Sequence, residues 1–141
     1  MKRTVTLLFV LLVFCGGIFA QNLTITPNPS DVSGTTEDLR KAHVRFVNNS
    51  SEAVTLTWMR IVNDAPDEWF VSVCDTNQCY APFANEPTQT FTVQPGEDAP
   101  MYVQFDGRNG LDPDVPGSGT SEIIVYAESD SANFNAHGVF N

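Results

Sequence analysis

The stretch Glu68-Trp69-Phe70-Val71-Ser72-Val73-Cys74-Asp75-Thr76-Asn77-Gln78-Cys79-Tyr80-Ala81-Pro82 decides how the chain reads. Trp69, Val71 and Val73 alternate with Phe70 and Ser72, the period of a strand with one buried face. The strand runs straight into two cysteines separated by Asp75-Thr76-Asn77-Gln78, residues that favour a turn. In an oxidising compartment the default for such a pair is a disulfide, Cys74 to Cys79, that pins the turn. Alternation cannot bury both Trp69 and Phe70 in one core, so one is either covered by a loop or presented to a partner. Trp69, Phe70, Tyr80 and Phe83 cluster around this turn in sequence and form the candidate binding patch.

The same two-residue period recurs on both sides. Upstream, Val54, Leu56 and Trp58 share a face, and Ala42, Val44 and Phe46 point away from His43 and Arg45. Arg60 falls on the apolar face while Met59 and Ile61 fall opposite, which predicts a bulge or an exit from the core. Leu23 and Ile25 make a short edge strand, stopped by Pro27-Asn28-Pro29. Downstream come Thr90 to Val93, a Gln94-Pro95-Gly96 turn, and Met101, Val103 and Phe105 alternating against Tyr102 and Gln104. Ile123 and Val125 point inward from a further strand, and 134–140 is a weaker last one. Stretches 30–38, 63–67 and 106–119 are rich in turn residues and read as loops.

After the opening apolar run, no helical period persists for ten residues. Seven or eight short strands spaced by turns imply an all-β fold, an immunoglobulin-like antiparallel β-sandwich. Trp58, on the third strand, suits the core of such a sandwich. The inter-sheet disulfide of antibody domains is absent, because Cys74 and Cys79 flank a single turn.

Three runs carry a resemblance: Val47-Asn48-Asn49-Ser50 at a strand end, Gln94-Pro95-Gly96-Glu97 before Met101-Tyr102-Val103-Gln104-Phe105, and Gly117-Ser118-Gly119 leading to Ile123-Ile124-Val125-Tyr126. Over most of residues 42–128 the chain resembles immunoglobulin-like domains of the ASPM/SPD-2/hydin and major-sperm-protein type. Trp58, Trp69, Cys74-Asp75 and Cys79-Tyr80-Ala81-Pro82 together resemble small secreted Bacteroidota domains of this fold. Many of those are exported by the type IX route ahead of a C-terminal sorting domain. No such segment is read before Asn141, so periplasmic residence or passive release stands equally beside that route.

Met1-Lys2-Arg3, the apolar run from Val5 to Phe14, and the small residues ending at Ala20 form the pattern of a secretory signal peptide. Cleavage near Ala20-Gln21 leaves residues 21–141 as one domain, secreted or periplasmic. A lipoprotein reading through Cys15 is disfavoured, since Phe14 stands where such signals need a small side chain. The apolar run is shorter than the roughly 20 residues of a membrane span. Loss of Lys2 and Arg3 takes the formal charge from −10 to −12, which makes nucleic acid and anionic lipid poor partners.

The chemistry expected of the residues is sparse. Redox catalysis wants a depressed thiol pKa, whereas Asp75 would raise that of its neighbour. His43 and His137 lie far from each other and from the cysteines in sequence, without metal-ligand spacing. Asp106 to Asp114 invites calcium, but Arg108 and Gly117 occupy positions where an EF-hand needs ligands. Hydrolase motifs are missing. Asn22-Leu23-Thr24, Asn48-Asn49-Ser50 and Asn49-Ser50-Ser51 match the N-glycosylation acceptor, and Asp130-Ser131-Ala132 resembles the Bacteroidota O-glycosylation acceptor at Ser131. The expectation is therefore a non-enzymatic module without cofactor or metal. It would bind an envelope or extracellular protein, or alternatively a glycan stacked on the aromatics beside the Cys74–Cys79 turn.

Overall fold

The computed structural model describes residues 22–35, 38–107 and 115–141. The signal-peptide reading and the 108–114 part of the calcium loop lie outside these residues. Eight strands form: β1 (Leu23–Thr26), β2 (Arg40–Asn48), β3 (Val54–Asp64), β4 (Phe70–Cys74), β5 (Phe91–Val93), β6 (Asp98–Asp106), β7 (Thr120–Tyr126) and β8 (Asn135–Phe140). They pair antiparallel into two four-stranded sheets, sheet I in the order β1-β2-β6-β4 and sheet II in the order β5-β3-β7-β8. Among the described residues no helix is long and apolar enough to cross a membrane.

The alternation read from sequence is what packs the sheets together. Ala42, Val44 and Phe46 of β2, Val71 and Val73 of β4, and Met101, Val103 and Phe105 of β6 meet Leu56, Trp58, Ile123 and Val125 of sheet II in one buried core. Trp58, Phe46, Phe140, Leu23 and Leu56 are its largest fully enclosed side chains. The register of β3 against β7 slips between Arg60 and Val62, so the bulge falls at Ile61. Met59 and Ile61 stay on the outer face, each a little under half exposed, while Arg60 stays inside at 5 %.

Two of the runs that carried the resemblance meet at one end of the sandwich. In Gln94-Pro95-Gly96-Glu97 the Glu97 amide donates to the Gln94 carbonyl at 3.0 Å, and Gly96 takes a φ of 73°. Proline at the second position and glycine at the third suit a turn whose third residue is left-handed. The Gly96 amide donates to the Asn48 carbonyl at 2.8 Å and the Asn48 amide to the Glu97 carbonyl at 3.1 Å. Asn48 is fully buried; its Nδ2 donates to the carbonyls of Glu52 and Val93, and its Oδ1 accepts from the Ser50 amide and hydroxyl. An amide this deep is tolerated because every polar atom is matched.

One segment read as loop has a structural task. Past the prolines the chain leaves sheet I, and Ser30 bridges Phe140 of sheet II in parallel. Ser30 N–H donates to the Val139 carbonyl at 2.8 Å and Asn141 N–H to the Ser30 carbonyl at 3.0 Å. Asn28 adds bonds to the His137 carbonyl and from the Val139 amide. The outer edge of β8 is thereby covered, which removes one template for unwanted strand pairing.

Candidate functional site

β4 belongs to sheet I and β5 to sheet II, so residues 75–90 must carry the chain across the open side of the sandwich. The crossing starts with the pinned turn. Cys74 and Cys79 are joined in a disulfide, and Asp75 N–H donates to the Gln78 carbonyl at 3.0 Å. Asp75 Oδ1 accepts from the amides of Asn77 and Gln78, the side-chain bonds that bend a backbone without glycine. Its other oxygen, Oδ2, accepts from Trp58 Nε1 at 3.0 Å. One carboxylate thus shapes the turn and ties it to the largest residue of the core.

Tyr80 follows and turns inward. Its amide donates to the Val73 carbonyl at 2.8 Å, and its ring meets Trp58 edge-on, with centroids 5.3 Å apart and planes at 75°. Only 6 % of it is exposed. Burial, and then the charge of Asp75, push its phenol above the ordinary value of 10.0. A raised phenol pKa favours the folded state while the phenol is neutral in both states. That contribution is complete below pH about 10 and is lost as pH rises through the folded value. Urea titrations across pH 9–11 should show stability falling, and Tyr80→Phe should flatten that fall; an unchanged slope in Tyr80→Phe would place the effect elsewhere.

Beyond Tyr80 the chain makes a second turn, Ala81-Pro82-Phe83-Ala84, in which Ala84 N–H donates to the Ala81 carbonyl at 2.8 Å. Arg60 fixes it from below. The Arg60 guanidinium donates through Nη2 to the Pro82 carbonyl, through Nη1 to the Val71 carbonyl at 2.7 Å and through Nε to Asn85 Oδ1 at 3.1 Å. Its backbone amide donates to the Asn85 carbonyl at 2.7 Å. Burial lowers the pKa of this guanidinium. A cation in this position is retained because its donors fork toward several fixed acceptors at once. Arg60 therefore latches β3 of one sheet to β4 of the other and to the crossing loop.

The four aromatics of the candidate patch consequently part company. Tyr80 is in the core. Trp69 is covered: its Nε1 donates to the Val115 carbonyl at 2.8 Å, and its ring meets Phe105 edge-on at 6.4 Å. It lines a cavity of about 550 Å³ at that end of the sandwich with Val32, Arg40, Phe105 and Val115. Phe70 and Phe83 are the exposed pair, 50 % and 86 % accessible. Each directly neighbours a residue whose carbonyl Arg60 holds, Val71 for Phe70 and Pro82 for Phe83. Ser131 is exposed in the β7–β8 connection, on sheet II.

Among the described residues no group of three or more histidine, cysteine or acidic side chains gathers as a metal site would require. Sequence reasoning noticed Arg60 on the wrong face without giving it a role. The signal was present: a strongly polar residue inside the apolar register of a core strand needs acceptors, and those lie 11 to 25 residues downstream.

No protein-family model matches the chain, and no curated protein matches it in sequence. Among solved structures, the N-terminal domain of PorA is similar with a TM-score of 0.60 at 18 % identity, covering 84 % of this chain and 94 % of that one. The fold is an immunoglobulin-like β-sandwich. The ASH/PapD-like domain of human CEP192 aligns with 100 % of this chain and 96 % of its own at TM-score 0.41 and 8 % identity. WR4, a C. elegans MSP family member, aligns with 86 % of this chain and 97 % of its own at 0.44 and 7 %.

Proposed function

We propose that this protein is a non-enzymatic immunoglobulin-like module that works by protein–protein contact at an envelope or cell surface, and that Phe70 and Phe83 make the contact. In this reading residues 1–20 are removed near Ala20-Gln21, and 21–141 are the secreted or periplasmic domain. The disulfide and the likeness to a domain of PorA, a Bacteroidota protein, support an extracytoplasmic address. The observation that carries the contact is the latch: one buried arginine anchors the backbone beside both exposed phenylalanines. An 86 % exposed phenylalanine gives little to the fold, whereas a residue whose neighbouring backbone is fixed before binding loses less backbone entropy on docking. Large apolar anchors of that sort dominate binding energy.

Phe83→Ser should therefore leave the unfolding midpoint nearly unchanged, within about 0.5 kcal/mol, because the side chain buries little. It should weaken the contact at least tenfold. A photo-crosslinking residue at 83, used in the native host, should give one discrete adduct that is absent when the crosslinker sits at Thr55 on the outer face of sheet II. Identical adduct patterns from the two positions would count against the reading.

A further inference from the structure

The outer face of sheet II is apolar where the solvent side of a sandwich is ordinarily polar. Ile123 and Val125 point into the core, so their neighbours on β7 point out, and register places Ile124 between Met59 of β3 and His137 of β8. One row along, Glu122 lies between Val62 and Val139, with the bulge residue Ile61 alongside. Met59, Ile61, Val62, Ile124 and Val139 therefore form one patch across three strands, each exposed at least in part. Met59 and Ile61 also flank Arg60, whose amide donates to the Asn85 carbonyl, so the patch borders the loop that displays Phe83. Thr55 and Thr92, whose hydroxyls meet at 3.0 Å, mark the polar end of the face, about 13 Å along β3 from Met59.

The charges around this patch are nearly all of one sign. The strands of sheet II contain a single Lys or Arg, Arg60, and it is buried. Against it stand Asp64 at the end of β3, Glu86 beside Asn85, Glu122 on β7 and Glu128 just past it, all at least partly exposed. Glu122 pairs with His137 Nε2 at 2.8 Å. No ion pair among the described residues engages Asp64, Glu86 or Glu128.

We infer that this face is the docking site for a basic amphipathic helix of a partner protein. The patch buries one apolar helical stripe, and the carboxylates around it select lysine and arginine on the helix flanks. From β3 to β8 is two strand spacings, about 10 Å, close to the diameter of about 10–12 Å of a helix with its side chains. The edges of this sheet argue against an added strand. Ser30 and Asn28 close β8, Asn85 takes the Arg60 amide where β3 runs past β5, and β5 offers only three residues. Like charge argues against a second copy of the chain, because two sheet II faces would bring these carboxylates together. The outer face of sheet I offers such a copy no surplus of cations, since Arg45 there is already paired with Asp98.

The inference extends the preceding reading to a second surface and rests on it only in taking the domain to work by protein contact. Its test is the fluorescence anisotropy of labelled peptides, each about four helical turns long, titrated with the purified protein. One peptide is leucine and lysine patterned as an amphipathic helix, a second has glutamate for lysine, and a third has serine for leucine. The leucine–lysine peptide should bind at least tenfold more tightly than either control. Met59→Thr/Ile61→Thr, which keeps strand propensity, should weaken that binding at least tenfold. Asp64→Asn/Glu86→Gln, at exposed positions, should weaken it at least threefold, while Tyr102→Ser on the outer face of sheet I leaves it unchanged. Binding of the leucine–lysine peptide no tighter than of its counterparts, or wild-type binding by either double variant, would overturn the inference. So would equal loss in Tyr102→Ser. A dimer in sedimentation that Met59→Thr/Ile61→Thr dissolves would give the face to a second copy and overturn it too. None of these failures removes the crosslink expected at position 83, and loss of that crosslink leaves peptide binding to sheet II standing.

Discussion

Arg60→Met is expected to lower stability by about 3 kcal/mol, the loss of three donors to largely buried acceptors less the relief of a desolvated charge. Methionine keeps most of the volume, so the cavity contribution stays small and the measured loss reports the hydrogen bonds. For a domain of this length that is roughly a 10 °C fall in melting temperature. The carbonyls of Val71 and Pro82 and the side chain of Asn85 lose their partners together, since all three converge on one guanidinium. Arg60→Lys should recover less than half of the loss, because an ammonium cannot reach three acceptors arranged around a planar fork.

The local consequence is as specific as the global one. Amide exchange at Ala84 and Asn85 should accelerate in Arg60→Met beyond the acceleration of the β2 and β6 amides, since the turn loses its anchor as well as its share of global stability. Contact through Phe83 should weaken with it, although Phe83 itself is untouched. A variant with wild-type urea midpoint and wild-type exchange at Ala84 would refute the latch.

How much of this was legible in the sequence follows from the range of the forces involved. Strand positions were legible because alternation is local: Val71 and Val73 declare their face within five residues. The disulfide was legible because both cysteines sit on one turn. The fates of Tyr80 and Phe83 were not, because they depend on which loop crosses which edge. Tyr80 is buried by Trp58 of a different sheet, and Phe83 is held out by an arginine 23 residues earlier. The grouping of Met59 and Ile61 beside Ile124 was likewise hidden. Each strand showed its outward residues plainly, but nothing local said that β3 and β7, more than 50 residues apart, are neighbours.

Trp58 sets the largest effect. Trp58→Ala should cost about 4 kcal/mol, the range for emptying a fully buried aromatic site, and should leave the domain close to unfolding at 37 °C. Trp58→Phe is the sharper variant, because it keeps most of the packing while deleting the bond from Nε1 to Asp75. The disulfide closes so short a loop that the chain-entropy model assigns it about 2 kcal/mol. With Trp58 present, Cys74→Ser/Cys79→Ser should therefore leave a folded domain, its turn still bent by Asp75 Oδ1 and tethered by Oδ2. Without the indole N–H, the tether of the turn to the core is gone and the disulfide carries a larger share of fixing the start of the crossing loop, beside the bond from the Tyr80 amide to the Val73 carbonyl. Combining Trp58→Phe with Cys74→Ser/Cys79→Ser should thus cost about 1 kcal/mol more than the two changes summed, the size of coupling expected for groups that constrain one segment. Additive urea midpoints would mean that the covalent pin and the carboxylate tether act on separate parts of the fold. Coupled ones would mean that Asp75 joins the core to the turn from which both the buried Tyr80 and the displayed Phe83 take their positions.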